Sequence, residues 1–295
     1  MFEGEPPQDA PNRARRFDAR AIGLDVGLSF ARWLTGREHL HYGLWDGLAP
    51  TAANLGAAQE AYTTRLLSHF PGGALRVLDV GGGAGETAAR LLAMGHRVEI
   101  VVPSATLAAR CRENAPDAVV HEMPFEAFEG EGPFDLVLFS ESWQYIKQAT
   151  SLAASARLLA PGGTLLISDC FRADHYEPEG PTRKAGGGHR LFKLRTLLDE
   201  APFELVTQED LTESVAPSID IEQGFYNVIG DAIARTDAEL AATRPLMRRV
   251  VHAVLRAFVS KRRRERLAAR LMQRERTSEA FCAANRYMLM VLRRT

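Results

Sequence analysis

Apolar positions along this chain fall into two rhythms. Up to about residue 74 they recur at helical spacing, with Leu28, Trp33 and Leu34 in one stretch and Leu55, Tyr62, Leu66 and Leu67 in another. This predicts two or three helices over residues 21–70, with the aromatic, histidine-rich turn GREHLHYGLWDG between them. From residue 75, short apolar runs alternate with helical stretches. LRVLDV, RVEIVV, DAVVHE, FDLVLFS and GTLLISDCF read as strands. ETAARLLAMG, SATLAARCREN and ATSLAASARLLAPGG read as helices, the second opened by Ser104 as N-cap and the third closed by Pro161-Gly162-Gly163. A helix, RLFKLRTLLDEA, and a strand, FELVTQEDL, follow; residues 222–280 are helical in pattern, and NRYMLMVLRR reads as a last strand.

Alternating strands and helices build βαβ units, so an α/β fold with a mostly parallel sheet is expected, with its ligand outside the carboxyl ends of the strands. Residues 1–20 are polar and proline-rich and are expected to be a disordered tail. Residues 21–74 form a helical cap, and 75–295 form the main domain with a helical insertion at about 222–283. The stretch RADHYEPEGPTRKAGGGH reads as a loop or mobile lid.

Composition changes this picture little: 46% of the 295 residues are hydrophobic and 25% charged, as in ordinary globular proteins. No apolar run reaches about 18 residues and the N-terminus has no signal-peptide layout, so a cytoplasmic location is expected. Cys111, Cys170 and Cys282 show no paired spacing, which indicates neither a disulfide framework nor a metal site. Charge is lopsided instead. Residues 244–276 carry twelve Lys or Arg against Glu265 and Glu275, in a chain whose net charge is −1.

Chemistry concentrates in RVLDVGGGAGETAARLL, where four glycines fall within Gly81–Gly85 between a strand and a helix. Bare backbone there permits positive φ and lets a ligand rest on main-chain N–H groups. A nucleotide P-loop would end in Gly-Lys-Ser/Thr, but Glu86 and Thr87 follow Gly85. A dinucleotide fingerprint counted from Gly81 puts Glu86 at its sixth position, where an acid would repel a pyrophosphate. A phosphate-free ligand with cationic groups remains.

Acid-x-Gly-x-Gly-x-Gly over Asp79–Gly85 resembles motif I of the class I S-adenosylmethionine-dependent methyltransferases. FDLVLFSESWQYI is similar to that family's fourth strand and following turn, and ARLLAPGGTLLISD to its element leading into strand five. The resemblance covers about residues 75–170 and implies a Rossmann-like, doubly wound, seven-stranded sheet binding S-adenosyl-L-methionine. It implies that Asp79 reaches the cofactor's amino group and that Gly81 and Gly83 line the methionine moiety. Ser140, at the end of strand four, belongs to the same set. Glu122 and Met123 fall where the family contacts adenine, and Tyr42 in HLHYGLW where a tyrosine closes over the cofactor. Two features depart from the pattern. Val102 stands where strand two commonly ends in a ribose-binding acid, which leaves Ser104, backbone groups or water for the ribose. Gln144 and Tyr145 stand where cyclopropane fatty-acid synthases carry a Glu-His pair, which argues against that chemistry.

Methyl transfer needs a base only where the acceptor must lose a proton. Candidates near strands four and five are Glu141, Tyr145 and His175, with His189 brought over the pocket by its glycine-rich loop. An aromatic- and Met-rich cap points to a small, mostly apolar acceptor. The segment LMRRVVHAVLRAFVSKRRRER is a basic amphipathic helix, read first as structural packing and second as peripheral contact of 244–276 with an anionic membrane. Nucleic acid ranks last, because no aromatic-interleaved basic stripe accompanies it. The expected function is S-adenosylmethionine-dependent O-, N- or C-methylation of a small lipophilic molecule. Its alternatives are a lipid methyltransferase at the membrane surface and a non-catalytic S-adenosylmethionine-binding protein.

Overall fold

The computed structural model describes residues 19–176, 187–272 and 276–295. Among them a seven-stranded sheet runs in the order β3-β2-β1-β4-β5-β7-β6. Its strands are β1 (Arg76–Val80), β2 (Arg97–Val101), β3 (Val119–His121), β4 (Phe134–Ser140), β5 (Leu159–Arg172), β6 (Phe203–Asp210) and β7 (Asn285–Arg294). The first five pair in parallel, and β7 runs antiparallel between β5 and β6. Strand order reverses between β1 and β4, which opens a crevice at their carboxyl ends.

Helices cover both faces. In chain order they are α1 (Ala19–Thr35), α2 (Leu55–Leu67), α3 (Glu86–Ala93), α4 (Ala105–Asn114), α5 (Gln148–Leu158), α6 (Leu191–Glu200), α7 (Thr212–Val215), α8 (Pro217–Thr243), α9 (Pro245–Phe258), α10 (Lys261–Leu271) and α11 (Ser278–Ala284). The period-2 geometry of strands explains why consecutive apolar residues both count as core. Val77 and Leu136 point into a layer with Tyr62, Leu66, Leu91 and Phe281, while Leu78 and Val137 point into the opposite layer with Leu152, Leu158 and Leu194. Ser104 caps α4, its Oγ accepting the Leu107 N–H at 3.3 Å.

Three boundaries differ from the sequence expectation. The tail expected over residues 1–20 lies outside the described residues except for Ala19 and Arg20, which already begin α1. The helix expected to run to Pro-Gly-Gly stops at Leu158, because Leu159 is extended and buried against β4. Ala160–Gly163 then bulges out of register before Thr164 rejoins Leu136. The helical insertion begins before residue 222, since Pro217 occupies the first turn of α8, where its missing N–H costs nothing. The lid expected around residues 172–190 falls mostly on residues outside those described, 177–186. Among the described residues, no helix is long and apolar enough to cross a membrane.

Candidate functional site

The crevice between β1 and β4 holds a cavity of about 460 Å³, within the ~300–1,000 Å³ of small-molecule sites. The turn after β1 forms one wall. Gly81 has φ +77°, and a Cβ there would meet the Ser142 Cβ at 2.4 Å. A Cβ on Gly82 would lie 2.6 Å from Asp79 Oδ2. The bare backbone is therefore needed to let β1 turn under Ser142, whose Oγ donates to the Val80 carbonyl.

Asp79 is 1% exposed, and its Oδ2 has no hydrogen-bond partner among the described residues. Burial pushes its carboxyl up to about 7. A buried carboxylate oxygen with no partner is costly unless a ligand donates to it. Glu38, Glu86, Glu126 and Glu141 line the same cavity, and among the described residues that line it there is no Lys or Arg. His39 and His41 also line it, but burial lowers both, His41 to about 3, so they stay neutral. The His41 Nδ1–H donates to the Tyr42 carbonyl at 2.8 Å. Glu38 feels burial too, but Arg110 and Asn114 hydrogen bonds outweigh it and hold its carboxyl low.

At the end of β4, Glu141 adopts φ +55°, a left-handed conformation uncommon outside glycine and often tied to function. Its Oε1 accepts the Tyr42 N–H at 2.7 Å and stands 2.9 Å from the Tyr287 hydroxyl. Burial, with Asp169 nearby, pushes its carboxyl up to about 8. The Tyr287 hydroxyl lies 3.0 Å from that of Tyr62, which in turn lies 2.9 Å from both Ser140 Oγ and Ser168 Oγ. This hydrogen-bond chain leaves the cavity at Glu141 and returns to it at Ser140. Asp169 accepts the Gln144 backbone and side-chain N–H groups, both at 3.0 Å, so Gln144 is spent on β5.

Among the residues expected at the site, Asp79, Gly81, Gly83, Ser104, Ser140, Glu141 and Tyr145 line the cavity. Four others do not. Tyr42 sits behind Glu141, its ring centroid 6.1 Å from those of both Phe281 and Tyr287. Glu122 turns outward to Arg112 at 3.4 Å, and Met123 packs on the hydrophobic layer around Val80, so Pro124, Phe125 and Glu126 form the wall there. His189 donates from Nε2 to the Ile146 carbonyl at 2.7 Å, which holds its ring behind the wall, and His175 is solvent-exposed. Val102, 2% exposed, presents only hydrocarbon at the tip of β2. Tyr62, Tyr287 and Glu38 escape sequence reasoning: the two tyrosines read as core positions, and only the placement of β7 beside β5 brings the Tyr287 hydroxyl to Glu141 and to that of Tyr62 on α2.

A family model described as "Methyltransferase domain" matches residues 45–216. An uncharacterized methyltransferase of Mycobacterium tuberculosis is 32% identical over 101 residues, which span 32% of this chain and 40% of that protein. The tRNA 5-carboxymethoxyuridine methyltransferase of Escherichia coli is 33% identical over 112 residues, 35% of this chain and 43% of that one. The chain thus spans less than half the length of these relatives. In fold it is similar to a cyclopropane synthase of Mycobacterium tuberculosis, with a TM-score of 0.66, 17% identity, and coverage of 92% of this chain and 95% of that one.

Proposed function

This chain belongs to the methyltransferase-domain family and has the class I S-adenosylmethionine-dependent methyltransferase fold, and from that premise we propose that it methylates a small, phosphate-free lipophilic molecule, with Glu141 taking the acceptor's proton. The observation that carries this reading is the buried, unpartnered Asp79 Oδ2 beneath the Gly81–Gly83 turn, in a cavity walled by acids. That donor-hungry, anionic wall fits S-adenosyl-L-methionine, whose ammonium and sulfonium are cationic. It disfavours a pyrophosphate and the polyanionic backbone of a nucleic acid alike.

When bound, the cofactor supplies a methyl carbon already activated by its sulfonium. Asp79 would hold the ammonium, the Gly81–Gly83 backbone would lie along the aliphatic part, and Val102, Ser104 and Phe125 would enclose the nucleoside. The residues around the acceptor do the remaining work. Leu40, Tyr145 and Ile146 give the cavity an apolar wall beside Glu141. With its carboxyl pushed up to about 8, Glu141 accepts a proton at its own Oε atoms from a weakly acidic acceptor, and the Tyr42 N–H and Tyr287 hydroxyl stabilise the state before that transfer. Gln144 turned to Asp169 supports ordinary methylation rather than cyclopropanation, for which the family's Glu-His pair is missing.

Calorimetry with S-adenosylmethionine, followed by methyl transfer into a lipophilic extract, tests the reading. Binding that is strongly weakened in Asp79→Asn, with radiolabel entering an organic-soluble product from the parent, is expected. Tight binding with no transfer to any fraction would favour a non-catalytic binding protein, and label in RNA would overturn the acceptor class.

A further inference from the structure

Helix α9 is mounted with its polar side inward. Seven of its residues (Leu246, Met247, Val250, Val251, Val254, Leu255 and Phe258) occupy one half of the helical circumference, and all are exposed, Leu246 at 73% and Phe258 at 84%. The other half carries Arg248, His252, Arg249 and Arg256. Arg248 donates twice to Asp237 of α8, at 2.9 and 2.8 Å, and His252 Nε2 stands 2.8 Å from the same carboxylate. No residue of α9 is buried. A surface helix of a globular domain ordinarily turns its apolar stripe to the core. Here two charge-assisted contacts fasten the polar side to α8 and hold the hydrocarbon out.

The arm is fixed to the molecule elsewhere. α10 crosses α8 so closely that a Cβ on Gly230 would meet the Leu271 carbonyl oxygen at 2.0 Å. The start of α8 is tied to the cap through Ser218, whose Oγ accepts the Gly43 N–H at 3.0 Å and the Trp45 indole N–H at 2.8 Å. The exposed face is thus presented on a braced arm whose root lies beside the Tyr42 segment of the site.

Charge decides what covers this face. Arg249, Arg256, Arg262 and Arg263 are exposed and form no ion pair among the described residues. Two copies meeting through α9 would bring these like charges together, whereas a layer of anionic headgroups over hydrocarbon satisfies both halves of the helix. We infer that α9 docks on the surface of an anionic bilayer, its apolar face entering the headgroup–acyl boundary while the positive charge of Arg249, Arg256, Arg262 and Arg263 draws the arm to the anionic surface. The inference goes beyond methyl transfer and stands without it, because docking is read with no turnover.

Co-sedimentation of the full chain with mixed phosphatidylglycerol–phosphatidylcholine vesicles, and with phosphatidylcholine alone, tests it. The chain is expected to partition onto the anionic vesicles at least about tenfold more strongly, and to be released by high salt. Val250→Asp with Val254→Asp should abolish binding, and Arg249→Gln with Arg256→Gln should weaken it and flatten the salt dependence. Circular dichroism and melting of each variant should match the parent, since every substituted side chain is exposed. Equal sedimentation of parent and V250D/V254D would overturn the inference. So would a parent that ignores anionic vesicles and instead forms a dimer that V250D/V254D dissociates.

Discussion

The Tyr287 hydroxyl stands 2.9 Å from Glu141 Oε1, joining β7 to the strained residue that follows β4. The two are far apart in sequence, and only the antiparallel insertion of β7 beside β5 makes them neighbours. A buried carboxyl at about 8 with two donors aimed at one oxygen is built to change protonation state near neutrality.

Glu141→Gln keeps the oxygen that accepts from Tyr42 and Tyr287 but cannot take a proton. Turnover should fall by about 10²–10⁴-fold while calorimetric S-adenosylmethionine affinity stays within a few-fold of the parent. Radiolabel transfer measured beside calorimetry separates the two. Unchanged turnover would remove Glu141 from the chemistry.

Tyr287→Phe should move the pH profile. The Tyr287 hydrogen bond favours the carboxylate, so its loss drives the Glu141 pKa further above 8. The rising limb of kcat against pH should move to higher pH, and the rate below the limb should fall about tenfold for each pH unit that it moves. A profile that drops in height without moving would mean that Tyr287 only packs.

Much of this fold was legible because βαβ units write themselves as alternating apolar runs and helical stretches, and Gly81 stood out because its positive φ and the close approach of Ser142 leave no room for a side chain. The rest depended on long-range placement. Val102 presents hydrocarbon just beyond β2, while Glu122, just beyond β3, turns outward to Arg112, a pairing that spacing does not encode. His189 looked poised by its glycines, yet a single carbonyl, that of Ile146, claims its ring. The hydroxyls of Tyr62 and Tyr287 hid inside apolar patterns because a tyrosine packs like a phenylalanine until its partner is known. The amphipathicity of α9 was plain, but its inverted mounting follows from Asp237 on a neighbouring helix.

Cofactor affinity should depend on the Asp79 proton. Burial holds that carboxyl near 7 in the free protein, and a cationic ligand requires its ionised form. Affinity should therefore be flat above about pH 7 and weaken by up to tenfold per pH unit below it. Calorimetry over that range checks this, with Asp79→Asn expected to be weak and nearly pH-independent there.

The ligand-free protein should lose stability as pH rises. Asp79, Glu141 and Asp169 have ordinary carboxyl values of 3.8, 4.5 and 3.8, and burial raises them to about 7, 8 and 7. Between those limits the folded state binds more protons than the unfolded one, so the slope of stability against pH is negative. Their contribution is complete below about pH 4 and is lost by about pH 8. Thermal melting at mildly acidic and mildly basic pH should show a lower Tm at the basic end, partly restored by Glu141→Gln. Added S-adenosylmethionine should also narrow the gap, because a bound cation favours the Asp79 carboxylate.

Gly81→Ala tests whether the bare turn is required. Its φ of +77° costs any L side chain about 1–3 kcal/mol, and the new Cβ would also sit 2.4 Å from the Ser142 Cβ. Ser142 cannot retreat cheaply, since its hydroxyl is bonded to the Val80 carbonyl and its backbone opens the turn that carries Tyr145. The strain should therefore appear both as a Tm lowered by several degrees and as S-adenosylmethionine affinity reduced by at least about tenfold, because the amides of Gly81–Gly83 move with the turn. Adding Ser142→Gly removes the steric clash but leaves the φ penalty. The double variant should regain part of the affinity while remaining less stable than the parent. Full affinity in Gly81→Ala alone would mean that the ligand does not rest on this turn.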